Sequence, residues 1–168
     1  MMRIIGIDPG YAIMGYGILD YNGNRFKTVH YGSIETKAGV PMPERLKLLY
    51  DGLTEIIQEY KPDEASIEEL FFNRNVTTAI GVGEARGVAM LACVEGGLSV
   101  SEYTPMQIKQ AVVGTGSADK AQVMYMIRSV LALDHEPHPD HAADALAAAV
   151  CHANLTRTEE LGKRRVRL

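Results

Sequence analysis

The feature that most constrains this chain is a change of hydrophobic period near residue 40. Up to Ile34 the apolar residues come in short, β-branched runs broken by turn residues. Arg3 to Asp8 stops at Pro9-Gly10, Ile13 to Leu19 follows, and Asn22-Gly23-Asn24 reverses the chain into a run from Phe26 to Ile34. Connections this short predict antiparallel neighbours. From Pro43 the period becomes helical: Leu46, Leu49, Leu53, Ile56, Ile57 and Tyr60 share a face, and Pro62 ends it. The pattern then predicts a strand over Ala65 to Leu70, a long helix over Val76 to Glu95 and a strand over Leu98 to Tyr103. Further helices are expected near Thr104 to Val112, Asp119 to Leu131 and His141 to Asn154. A three-strand meander followed by alternating helix and strand implies the α/β class, with a five-stranded mixed sheet and helices on both faces.

The chain has 168 residues, a size for one compact domain, and neither a linker nor an internal repeat divides it. The start, MMRIIGIDPG, carries too short an apolar run for a spanning or export segment, so a cytoplasmic protein is expected. Cys93 and Cys151 lie far apart and fit no metal-binding doublet, which predicts reduced core thiols. A net charge of −4 argues against holding nucleic acid by bulk electrostatics. The acid excess, however, falls in residues 1–100, with 13 Asp and Glu against 9 Lys and Arg. Clustered carboxylates that hold a cation reverse the local field, so a polyanionic substrate stays open. Lys163, Arg164, Arg165 and Arg167 make a basic end that could touch phosphate or serve solubility.

Asp8 ends a strand otherwise built for the core, where an unpaired charge is costly. Glu68 repeats the situation on a second strand. Strand alternation lets only one of Glu68 and Glu69 point where Asp8 points, and Glu68 is the choice. In Pro139-Asp140-His141-Ala142-Ala143-Asp144, Asp140 is placed as an N-cap. His141 and Asp144, three apart, share one face of an alanine-rich helix that can lie close on a sheet. Acids and an imidazole from separate elements make a ligand set suited to Mg²⁺ or Mn²⁺. His135, His138 and His141 are not read as a zinc site, because Pro137 and Pro139 interrupt any helix aligning them. Gly81-Val82-Gly83-Glu84-Ala85-Arg86-Gly87 sits inside a helical pattern, so its glycines are read as close-packing positions against the sheet or a second subunit.

Six ordered blocks carry a resemblance. They are Ile5-Gly6-Ile7-Asp8-Pro9-Gly10 with Gly15-Tyr16-Gly17; Ala65-Ser66-Ile67-Glu68; Ala85-Arg86-Gly87; Gln107-Ile108-Lys109-Gln110 with Val113-Gly114; Ser117-Ala118-Asp119-Lys120; and Ala142-Ala143-Asp144-Ala145-Leu146-Ala147. Together, from about residue 3 to 153, they resemble the RuvC family of bacterial Holliday-junction resolvases. The resemblance implies an RNase H-like fold over residues 1–155 with a basic tail at 156–168. It also implies a homodimer that nicks opposing strands of four-way junction DNA in recombination and repair, with branch-migration partners of the RuvA and RuvB type. The family's metal-binding catalytic set falls on Asp8, Glu68, Asp144 and, in place of a fourth carboxylate, His141, with Asp140 beside it. Two Mg²⁺ ions, or Mn²⁺, would drive hydrolysis to 5′-phosphate and 3′-hydroxyl ends. Lys109 and Lys120 fall on basic positions near the scissile phosphate, and Phe71, with Phe72 as competitor, on an aromatic that stacks on unpaired bases. Arg74 and Asn75 are expected as further DNA contacts. The alternatives are a YqgF-type nuclease acting on RNA, a non-catalytic junction-binding module and an actin-like ATPase, the last needing a second lobe that this length leaves no room for.

Overall fold

The middle of the sheet is strand β1 (Met2–Asp8), flanked by β2 (Ile13–Tyr21) and then β3 (Phe26–Glu35) on one side, and by β4 (Glu64–Glu68) and β5 (Ser99–Tyr103) on the other. The structure is a computed structural model that describes residues 1–69 and 75–166, with side chains described as far as Glu159. β1, β2 and β3 are antiparallel, as the short turns require. β4 and β5 run parallel to β1 because helices α1 (Met42–Tyr60) and α2 (Val76–Glu95) carry the chain back between them.

Pleating sorts the sheet residues into two layers. Ile5, Ile7, Met14, Tyr16, Ile18, Ala65 and Ile67 face α1 and α2, and close a core with Leu49, Leu53, Ile57, Ala85, Ala89 and Cys93. Ile4, Leu19 and Tyr21 face the other way, against α5 (Asp140–Val166), with α3 (Pro105–Val113) and α4 (Lys120–Val130) packed around it. Both cysteines are buried free thiols.

The two sides differ in closeness. On the α5 side the sheet offers Gly6, Gly15 and Gly17, and the helix offers Ala142, Ala145, Ala148 and Ala149, all four fully buried. A Cβ at Gly6 would lie 1.9 Å from the Ala145 carbonyl oxygen, and one at Gly15 2.0 Å from that of His141. Helix backbone therefore rests directly on strand backbone, and the start of α5 is held over the ends of β1 and β2.

Several boundaries depart from the sequence expectation. β4 stops at Glu68, short of the expected Leu70. α5 runs without interruption to Val166, past Asn154 where the helix was expected to end. Of the glycines in α2, Gly81 sits against the Tyr11 ring, whose Cδ1 would be 2.7 Å from a Cβ, whereas Gly87 meets nothing.

Candidate active site

The pleat that sends Ile5 and Ile7 into the α1–α2 layer sends Ile4, Gly6 and Asp8 toward α5. On β4 the same parity turns Ser66 and Glu68 toward α5, and Ser66 Oγ donates to the Ala148 carbonyl at 2.7 Å. β1 and β4 are parallel neighbours with Ile7 opposite Ile67, so Asp8 and Glu68 emerge side by side at the same end of the sheet. Glu69 is exposed, and its backbone N–H is taken by the Tyr103 carbonyl at 2.8 Å.

The first turn of α5 closes the group. His141 Nδ1 is 2.9 Å from Asp8 Oδ2. Asp8, His141 and Asp144 each present a ligand atom, all within 4.8 Å of one another. Asp144 joins because it lies three residues beyond His141, on the same helix face. The cleft beside the group, about 290 Å³, is lined by Glu68, Lys109, Lys120 and Asp144 together with Pro105 and Ile108.

Three carboxyls in this space resist ionisation. Burial, then the charge of Asp144, pushes Asp8 well above the ordinary range, to about 7. Glu68 is pushed up to about 8, first by burial and then by Asp8 and Asp144. Asp144 is raised by burial, with Lys120 pulling against it. Such a cluster is costly without cations, and its hard oxygen donors with one imidazole fit a divalent ion of the Mg²⁺ or Mn²⁺ type.

Lys120 is the first residue of α4, after the Asp119 cap, and it reaches across to α5: Nζ is 3.1 Å from Asp140 Oδ2 and 4.0 Å from Asp144 Oδ2. Asp140 thereby departs from the expected N-cap role. The Pro139 carbonyl accepts the N–H groups of Ala142 and Ala143, which puts Asp140 inside the first turn with its carboxylate on Lys120. Asn75 caps α2, its side chain accepting from the Thr78 N–H. Phe71, Phe72 and Arg74 lie outside the described residues.

One polar chain had no counterpart in the sequence reading. His152, buried on α5, joins Tyr103 Oη through Nδ1 at 2.8 Å and Glu64 through Nε2, tying α5 to β4 and β5. Its only sequence signal was a histidine at the close of an alanine-rich helix, a position that does not reveal its partners.

Comparison with known proteins adds four findings. The family model described as crossover junction endodeoxyribonuclease RuvC matches residues 4–152. The chain is 56% identical over 153 residues to the protein of that name from Pelotomaculum thermopropionicum, covering 91% of this chain and 93% of the relative. It is 54% identical to the one from Clostridioides difficile, covering 95% and 94%. Among solved structures, T. thermophilus RuvC in complex with Holliday junction substrate superposes with a TM-score of 0.90 at 36% identity, covering 95% of this chain and 97% of that one.

Proposed function

The chain belongs to the RuvC family of crossover junction endodeoxyribonucleases, and from that membership and the geometry of its acid cluster we infer that it resolves Holliday junctions by nicking two opposing strands. The observation that carries this reading is the convergence of Asp8, His141 and Asp144 within 4.8 Å, at the mouth of a cleft that also holds two lysines.

In this reading Asp8, Glu68, His141 and Asp144 hold the metal. When bound, divalent cations, Mg²⁺ or in its place Mn²⁺ and two per site, supply an activated water and stabilise the departing 3′ oxygen, giving 5′-phosphate and 3′-hydroxyl ends. The protein's part is positioning and charge. Asp8 Oδ2 and His141 Nδ1, 2.9 Å apart, hold each other in place across the junction of β1 and α5. Lys120 offsets negative charge developing on the phosphate, and Lys109, on the same cleft wall, holds the backbone in register. Contacts nearer the crossover are assigned on sequence grounds to Phe71 or Phe72, Arg74 and Asn75.

The homodimer reading is supported by α2, which leaves Val76, Ile80, Leu91 and Val94 exposed at spacings that fall on one stripe. Gly87 lies on that stripe in open space, where a second backbone could approach. Branch-migration proteins of the RuvA and RuvB type are the further partners, and the bacterial cytoplasm the setting.

Substrate choice tests the reading. With Mg²⁺, the protein should nick a mobile four-way DNA junction symmetrically and leave linear duplex of the same sequence intact. Equal attack on both, or preference for RNA, would remove the junction from the account.

A further inference from the structure

Lys120, assigned above to the phosphate, stands on a long flexible stem at the very start of α4. Lys120 Nζ lies 3.1 Å from Asp140 and 4.0 Å from Asp144. Asp144 belongs to the cluster assigned to the metal, so the carboxylate left to Lys120 is Asp140. The Lys120 and Asp140 side chains are 58% and 57% exposed. An ion pair that open contributes little to stability. It can, however, limit where an ammonium on a stem of four rotatable bonds spends its time.

We propose that Asp140 is a positioning residue for the proposed cleavage reaction, tethering Lys120 across the gap between α4 and α5 so that its ammonium stays over the cleft. The proposal rests on the RuvC reading and adds to it a role for the one carboxylate of the α5 first turn that the ligand cluster leaves out. Two features separate this role from metal binding. Asp140 offers its oxygen to Lys120 rather than to Asp8 or Asp144, and it lies one residue from His141, which places it about 100° away around the helix.

The test is a double-mutant cycle on the full chain, read by single-turnover junction cleavage, by junction KM and by Mn²⁺ affinity of the DNA-free protein. Asp140→Asn should lower the cleavage rate about tenfold, leaving KM and Mn²⁺ affinity unchanged. Lys120→Ala should cost about 100-fold. In that background Asp140→Asn should cost nothing further, because no ammonium remains to be placed. Asp140→Glu, which keeps the charge, should recover most of the rate. Additive losses in the cycle, or a drop in Mn²⁺ affinity with Asp140→Asn matching that of Asp8→Asn, would overturn the proposal in favour of a separate or ligating role. A wild-type protein that does not cut junctions at all would instead overturn the family reading on which it rests.

Discussion

At the scale of single residues, the site concentrates negative charge where the fold least tolerates it. Asp8 and Glu68 keep their protons to higher pH in the folded chain than in the unfolded one, with values near 7 and 8. The folded state therefore binds more protons, and the metal-free protein loses stability as pH rises from about 4, the loss being complete above those folded values. Asp8→Asn removes the share due to Asp8. In EDTA at pH 8.5 the variant should be more stable than the wild type by roughly 1–3 kcal/mol, and the gap should close toward pH 4. Denaturant unfolding across that range is the check, and a gap independent of pH would contradict the assigned cause. Both acids were legible in the sequence because a carboxylate ending an apolar strand is conspicuous, and period-two parity separates Glu68 from Glu69. The partner of Asp140 was not legible. It depends on how the first turns of α4 and α5 meet in space, and the local pattern equally suggested a cap.

At the scale of elements, the contact of α5 with β1 and β2 decides whether the site exists. Gly6→Ala would drive a methyl into the Ala145 carbonyl, at 1.9 Å, and must lift the helix that carries His141 and Asp144. The expected cost is roughly 3 kcal/mol or more, together with loss of metal binding. Gly23→Ala is the contrast. Its φ is +94° with nothing within 4 Å, so it should cost only about 1–2 kcal/mol of backbone strain and leave metal binding intact. Calorimetry with and without Mn²⁺ distinguishes them, and comparable metal affinity in both variants would show that the close approach is dispensable. Element order and the type of each element were readable from the change of period. The length of α5 was not, because beyond Asn154 the residues turn polar and charged and present no apolar face by which to tell helix from tail.

At the scale of the whole molecule, two nicks in opposing strands need two sites. On the proposed dimer reading the apolar stripe on α2 is the surface that would pair them, and Leu91→Glu, at a position 53% exposed, should leave the fold intact. Sedimentation should then report monomer for the variant and dimer for the wild type, with paired nicking replaced by slow single nicks. A wild type that sediments as a monomer at working concentration would remove the dimer from the account. The central claim is that the Asp8 cluster performs metal-dependent chemistry on a bound junction. Its most direct test measures junction affinity and cleavage side by side for the wild type and Asp8→Asn in Mg²⁺. The account predicts cleavage lost by at least 1,000-fold, on the order expected when a group acting in the transition state is removed, with junction affinity kept within a few-fold. Undiminished cleavage, or loss of binding in step with cleavage, would contradict it.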